Sequence, residues 1–331
     1  MRYKLLLFLS VLISFTACNY ISLKPNSTGA ANEILVVIDD SIKNSAVGDS
    51  LFAILNQDVP GLNQSEPYFN ISLTSTKNFA SILKPARNII IVSINNTYSR
   101  SKISHYKDQW SKPQSILKIN GFDIADVANT ISKYEDEILQ YFIKAERERS
   151  ISYQTRYSER DAMKKVKDKF GFSIVLPKGM NRFKNEDNFM WIANSSREVN
   201  QNIVIYTYPY TENDAFTREK ILHKRDSVMM LWIPGPSPDS YMGTEYRYNP
   251  PIARETSLEN GNYAMEVRGL WTAIGDIMGG PFVSISCLDE KNQQVVTAEA
   301  FVYAPNKYKR NIMRQLEAIL YTINFETDGN K

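Results

Sequence analysis

The sequence predicts an α+β chain of two α/β sandwich domains, the second built on a largely antiparallel sheet with flanking helices. Three observations predict it. Short β-branched runs alternate with amphipathic stretches over residues 32–150. The apolar periodicity lapses around Ser150 to Glu159, then resumes as closely spaced strand patterns that end in a single helix. A chain of 331 residues, 43% hydrophobic, is long enough for two buried cores at roughly 100–200 residues per domain.

In the first domain, residues 33–38 (EILVVI) form a buried strand closed by Asp39-Asp40, and residues 49–55 form a helix with Leu51, Phe52 and Leu55 on one face. Val59-Pro60-Gly61-Leu62 is a turn, and residues 68–73, 88–94 and 115–119 are strands. Residues 123–149 read as one long helix striped by Val127, Ile131, Tyr134, Ile138 and Phe142. Its charged end, 144–150, reads as a solvated face with weak local ion pairs. Helices then cover one face of a sheet.

The second domain spans 158–326. Strands are expected at 172–176, 189–193 and 202–208, then a helix at 214–229 capped by Asp214. A loop rich in Pro, Gly and Ser (234–239) leads to strands at 241–248, 263–271, 281–288 and 294–303, and a helix at 308–323 closes the domain. In the strand from Tyr263, the side bearing Ala264, Glu266 and Arg268 reads as a half-polar face.

The start of the chain carries an address. Arg2 and Lys4 precede an apolar run over residues 5–17, and Phe15-Thr16-Ala17-Cys18 places small residues before a cysteine. This is the layout of a signal peptide over residues 1–17 with a lipobox, so Cys18 is expected to be the lipidated N-terminus of the mature chain. The run is shorter than the about 20 residues a spanning helix needs. Residues 18–31 read as a polar tether, and Asn19, where an Asp would favour inner-membrane retention, points to an outer-membrane, periplasm-facing location. The membrane is thus one expected partner, through N-terminal acyl groups.

Composition narrows the function classes. The 39 Lys+Arg against 36 Asp+Glu give a net charge of +3, and two of those cations lie in the leader. There is no basic run, so nucleic acid is not an expected partner. Cys287 is the second of two cysteines and reads as a small buried hydrophobe, which leaves the mature chain without a disulfide. His105 and His223 read as surface polar residues. No catalytic set, metal site or cofactor is expected.

Binding chemistry is concentrated in turns. Trp232, Tyr241 and Trp271 sit beside Pro/Gly turns, with Arg268 and Met278 nearby, and such aromatic and Arg anchors suit a surface for an envelope protein or glycan. The same rings could instead pack the core and the loop bases. Gly279-Gly280-Pro281 leads into a strand with no GK[ST] after it, so it reads as a hairpin turn rather than a phosphate cradle. Asp39 and Asp40, at the end of a strand, form a possible ligand cleft with Glu66, or equally a turn or cap. The alternative function is an envelope hydrolase or small-ligand enzyme, with Asp39/Asp40 and Gln64/Glu66 in one cleft or Arg268 and Asp276 in another.

Two resemblances follow. Phe172-Ser-Ile-Val-Leu-Pro177 and the closing helix over 306–325 make residues 168–326 similar to the PsbP/Mog1-like fold, which implies an accessory or binding module. Further motifs are Val37-Ile38-Asp39-Asp40, Gly48-Asp49, Pro60-Gly61-Leu62, Gln64-Ser-Glu66-Pro67, Arg87-Asn88-Ile89-Ile90, and Trp110 with Pro113-Gln114. Tyr208-Pro209-Tyr210, Ile233-Pro234-Gly235-Pro236, Tyr241-Met242 and Arg268-Gly-Leu-Trp271 with Met278-Gly-Gly-Pro-Phe282 complete the set. Across nearly the whole mature chain these resemble the Bacteroidetes lipoprotein family known as domain of unknown function 4837. That resemblance implies an acylated envelope protein of that phylum and brings no activity, cofactor or catalytic residue. The expectation is a non-enzymatic binding or accessory lipoprotein.

Overall fold

A computed structural model describes residues 24–325; the leader and Cys18 lie outside the described residues. The first unit runs β1 (Glu33–Val37), α1 (Asp40–Lys43), α2 (Ala46–Leu55), β2 (Asn70–Thr74), β3 (Asn88–Ile94), β4 (Lys102–Lys107), β5 (Ser115–Gly121), α3 (Ile124–Lys133) and α4 (Glu135–Arg156). Its five-stranded sheet has the order β2-β1-β3-β5-β4, parallel except for β4. Alternation along the strands sorts the side chains. Val36, Ile90, Val92, Leu117 and Ile119 face the helices, while Leu35, Val37, Ile89 and Ile116 face a cover made by Phe79, Leu83 and Trp110.

Caps explain where several boundaries fall. Ser45 Oγ accepts from Val47 N at 3.3 Å and starts α2 earlier than the sequence pattern does. Asp123 likewise accepts from Asp126 N at 2.8 Å and starts α3. The expected single helix over 123–149 is two helices, because Tyr134 leaves helical geometry (φ −110°, ψ 27°) while the apolar spacing runs on across the break. β4 escaped the sequence reading because KISHYK is an exposed, polar edge strand. Part of the expected tether is not free: Thr28 N donates to the Pro85 carbonyl at 2.8 Å, and Lys112 N donates to the Pro25 carbonyl at 2.9 Å.

The second unit runs α5 (Arg160–Phe170), β6 (Phe172–Ser173), β7 (Arg182–Glu186), β8 (Phe189–Ala193), β9 (Asn200–Pro209), α6 (Arg218–Trp232), β10 (Tyr241–Thr244) and β11 (Ile252–Ser257). It ends with β12 (Tyr263–Ile274), β13 (Gly279–Asp289), β14 (Gln294–Tyr303), α7 (Arg310–Leu320) and β15 (Asn324–Phe325). An antiparallel sheet of order β10-β12-β13-β14-β9-β8-β7, with β11 also on β12, is its body, and β15 pairs β6 to join its two ends. The chain is α+β, as expected, with the second unit a largely antiparallel sheet and flanking helices.

Several local expectations are corrected. α5, β7 and β11 were not anticipated; α5 is so heavily charged that only Ala162, Val166 and Phe170 mark its buried stripe. The expected 172–176 strand is only Phe172–Ser173, and the expected 241–248 strand stops at Thr244. The helix expected at 214–229 starts at Arg218 with Thr217 in the cap position; the Asp214 carbonyl instead accepts from Thr217 N in a turn, at 2.9 Å.

The sheet's two faces differ in kind. Aliphatic residues such as Ile203, Ile205, Ala298, Ala300 and Val302 face α7 and the first unit, in a core continuous with that unit's. Phe189, Tyr206, Trp271, Phe282 and Phe301 face α6. The supposed half-polar face of β12 lies on the aliphatic side, and it is buried. Glu266 (1% exposed) is held by Arg254 at 2.8 Å, Arg268 at 2.9 Å and the Tyr321 hydroxyl at 2.6 Å. The charged run 144–150 is corrected too, since Ala145 and Glu146 are buried and the half-buried Arg149 is bonded to Glu146, Asn88 and Ser115.

Gly61 belongs to the contact between the units. It has φ +76°, and a Cβ there would sit 2.9 Å from Gly269 N on β12, so the Pro60-Gly61-Leu62 turn packs backbone against backbone.

Candidate functional site

α6 covers only part of the aromatic face. Beyond its end, a cavity of about 540 Å³ opens between β8, β14, the β12–β13 hairpin and the 233–236 segment. Trp191, Trp271, Phe301 and Tyr303 form its walls, Met278 and Pro236 stand at its mouth, and Arg182 and Arg197 are on its rim. Neither rim arginine forms an ion pair with another described residue, and both are exposed. Apolar walls with a few charged groups at the edge are the usual make-up of a ligand pocket.

Each wall has a local cause. β14 alternates Ala300 and Val302 on one face with Phe301 and Tyr303 on the other. Trp271 is 5% exposed; its Nε1 donates to the Val302 carbonyl at 3.2 Å and its ring meets Phe301 edge-on at 5.8 Å. Gly280 makes room for it, since a Cβ there would lie 2.9 Å from Trp271 Nε1 and 2.2 Å from the Val302 carbonyl. Gly280 therefore serves this ring, while Gly279 lies against the Trp271 backbone carbonyl; both open β13 just after the turn of the β12–β13 hairpin.

The proline-rich loop is fastened over the hairpin. Gly235 N donates to the Ser240 carbonyl at 2.8 Å and Met242 N donates to the Ile233 carbonyl at 3.0 Å. The Ser237 hydroxyl donates to the Asp276 carboxylate, and Ile277 N donates to it at 2.6 Å. That hydroxyl and the turn amides hold Asp276 below the usual carboxylate range.

Of the five residues expected to form a partner surface, Trp271 and Met278 line this cavity. Trp271 is a buried wall, not an exposed platform. Trp232 stacks on Phe189 at 5.9 Å, at the edge of the core, with Lys184 Nζ 5.2 Å from its ring centre. Tyr241 lines a separate open groove with Tyr246 and His223. Arg268 leaves through the opposite face of the sheet to Glu266 and to Glu317 at 3.0 Å. Trp191, Phe301, Tyr303, Arg182 and Arg197 were missed. The available signal was the parity of aromatic residues along β8, β9 and β14.

The carboxylates expected to share a cleft have separate duties. Asp39 accepts from Thr76 N at 2.8 Å, and Asp40 forms an exposed pair with Lys43 at 2.7 Å. Glu66 reaches across to the other unit, where it accepts from Lys309 N at 2.8 Å and Arg310 N at 2.9 Å and caps α7. Asp276 and Arg268 lie in different environments, as above. Among the described residues no three His, Cys, Asp or Glu converge on a possible metal position. The Cys287 thiol is pushed up to about 12 by burial and by Asp289.

Residues 159–322 match the family described as Domain of unknown function (DUF4837), and residues 27–154 match a second, Domain of unknown function (DUF8532). The motifs from Val37 to Gln114 thus fall within the second family's span and those from Tyr208 onward within the first's, so the resemblance to family 4837 is narrower than the motifs implied. No curated protein matches. Among solved structures, the Ran-binding protein Mog1p of Saccharomyces cerevisiae is similar at 11% identity, covering 47% of this chain and 91% of that one with a TM-score of 0.31. A point mutant of the protein Mog1 is similar at 10% identity, covering 46% of this chain and 89% of that one with a TM-score of 0.30.

Proposed function

We propose that this is a Bacteroidetes envelope lipoprotein, anchored through acyl groups on Cys18 and facing the periplasm, that binds a partner protein without catalysing a reaction. Its aromatic cavity takes an apolar side chain of that partner, and an acidic neighbour of that side chain meets Arg182 and Arg197 at the rim. The observation that carries this reading is the cavity, where two tryptophans, Phe301, Tyr303 and Met278 surround one space beside two unpaired arginines. Apolar anchors in a pocket with charged rims are where interfaces concentrate their affinity.

The test is crosslinking and recovery of the native acylated protein from whole envelopes, alongside Cys18→Ala and an Arg182→Glu/Arg197→Glu double variant. The reading expects one abundant partner, lost in the double variant, and release of Cys18→Ala from the membrane fraction. Recovery of the same partner with both rim charges reversed would sink the binding site. A membrane-bound Cys18→Ala would sink the anchor.

A further inference from the structure

A second cavity lies on the other side of the eight-stranded sheet, where α4 meets α7, and its chemistry is the opposite of the first. It measures about 250 Å³ and is lined by four arginines (Arg87, Arg147, Arg149 and Arg314) against two carboxylates, Glu146 and Glu317. Both carboxylates are already engaged. Glu146 accepts from Asn88 Nδ2 and Arg149 Nη1, each at 2.7 Å, and lies 3.0 Å from Arg87 Nε. Glu317 is held from the sheet side by Arg268 at 3.0 Å, which leaves Arg147 at 3.8 Å.

Two arginines are left short of partners. Arg314 is 8% exposed, and its Nη2 donates to the Ile143 carbonyl at 3.3 Å. Among the described residues its Nη1 has no hydrogen-bond partner, nor has Nε of Arg147 or the hydroxyl of Ser150, which also lines the cavity. The Arg147 guanidinium lies 3.5 Å from the Tyr321 ring centre, and beyond the distant Glu317 its Nε stays without a hydrogen-bond partner among the described residues. Burial holds Arg314 below the ordinary arginine value even though Glu317 acts to raise it. A buried guanidinium with an unsatisfied nitrogen is costly, and a fold keeps one where something else completes it.

We propose that this cleft is a binding site for a small phosphate-bearing dianion, with Arg314 and Arg147 as its principal donors and Ser150 beside them. The charge agrees, because the lining carries two more cations than carboxylates and a phosphomonoester carries about −1.5 to −2 at pH 7. The donor type agrees, since guanidinium forks match phosphate oxygens and make strong, charge-assisted bonds in a low-dielectric site. The donors come from two helices, which suits a tetrahedral oxyanion better than a flat carboxylate. The site stands independently of the aromatic cavity on the far face of the sheet.

The test uses the full-length acylated protein in detergent and phosphate-free buffer, with calorimetry and thermal unfolding against inorganic phosphate, glycerol phosphate and succinate. Phosphate should bind and raise Tm in a saturating manner. Arg314→Met should unfold no more easily than the parent without phosphate, yet lose the phosphate-dependent rise. Gln315→Glu, an exposed position on the cavity wall, should weaken phosphate by at least about tenfold without altering the fold. Tighter binding of glycerol phosphate identifies a phosphomonoester, and equal binding identifies free phosphate; both support the site. Succinate binding more tightly than phosphate, unchanged phosphate binding in Gln315→Glu, or no saturable response to phosphate would overturn it.

Discussion

Arg225 and Arg314 are both buried arginines on helices that pack on the same eight-stranded sheet, from opposite faces. Arg225, at 0% exposure, meets Glu299 in a two-pronged pair, Nε to Oε2 and Nη2 to Oε1, each at 2.7 Å. Its remaining nitrogen donates to Thr244 Oγ1 at 2.7 Å, and Phe282 packs 3.9 Å from its guanidinium carbon. Burial alone would lower Arg225, but Glu299 outweighs it and holds the guanidinium above its ordinary value. Arg314 has one carbonyl and no carboxylate in such a grip. The first arginine is completed by the chain itself and belongs to the fold. The second is left incomplete by the chain, which is the mark of a site.

The largest expected effect breaks the complete pair. Glu299→Ala leaves Arg225 buried without its two-pronged carboxylate, with Thr244 and Asp226 on one nitrogen, and should cost about 3–5 kcal/mol in urea unfolding. Arg314→Met, by contrast, should cost little or nothing in the absence of an anion, and equal losses for the two variants would erase the distinction drawn here.

Next comes a pH test of the network that borders the cleft. Burial alone would raise the Glu266 carboxyl, but Arg268 and Arg254 outweigh it and pull it from 4.5 down to about 2. A carboxyl lowered in the folded state contributes stability that is present above pH 4.5 and lost as pH falls toward 2. Glu266→Gln should therefore be less stable at neutral pH and lack that part of the acid-induced loss, as followed by circular dichroism.

Smaller still, Glu66→Ala should cost roughly 1–2 kcal/mol, the worth of a helix cap, and Glu66→Gln should recover part of it. The smallest effect on stability is expected from Arg182→Glu/Arg197→Glu, within about 0.5 kcal/mol because both side chains are exposed, although the double variant should lose partner binding.

What the sequence made legible follows the same division. The β-branched runs of β1 and β3 are buried on both faces and read directly as strands. Edge strands β4 and β11 did not, since half of each faces water and packing alone decides their state. Glu66 could not be read as a cap because its helix lies some 240 residues along the chain. The run 144–150 looked solvated because charge was taken for exposure, whereas Arg149 finds the Asn88 side chain and the Arg87 carbonyl, and Glu146 finds Arg87, all distant in sequence. Trp271 and Met278 were singled out for their glycine-rich surroundings, and that signal did lead to the cavity. The aromatic parity of β8 and β14 completes its wall, and it becomes visible only once the register aligns those strands.

The most direct test of the binding function is photo-crosslinking in living cells from a probe placed at Met278, with a probe at Tyr153 on the far side as control. A discrete adduct from position 278, absent from position 153 and abolished by Arg182→Glu/Arg197→Glu, is the result predicted. No adduct from position 278, or one that survives reversal of both rim charges, would contradict the claim that this cavity receives a partner.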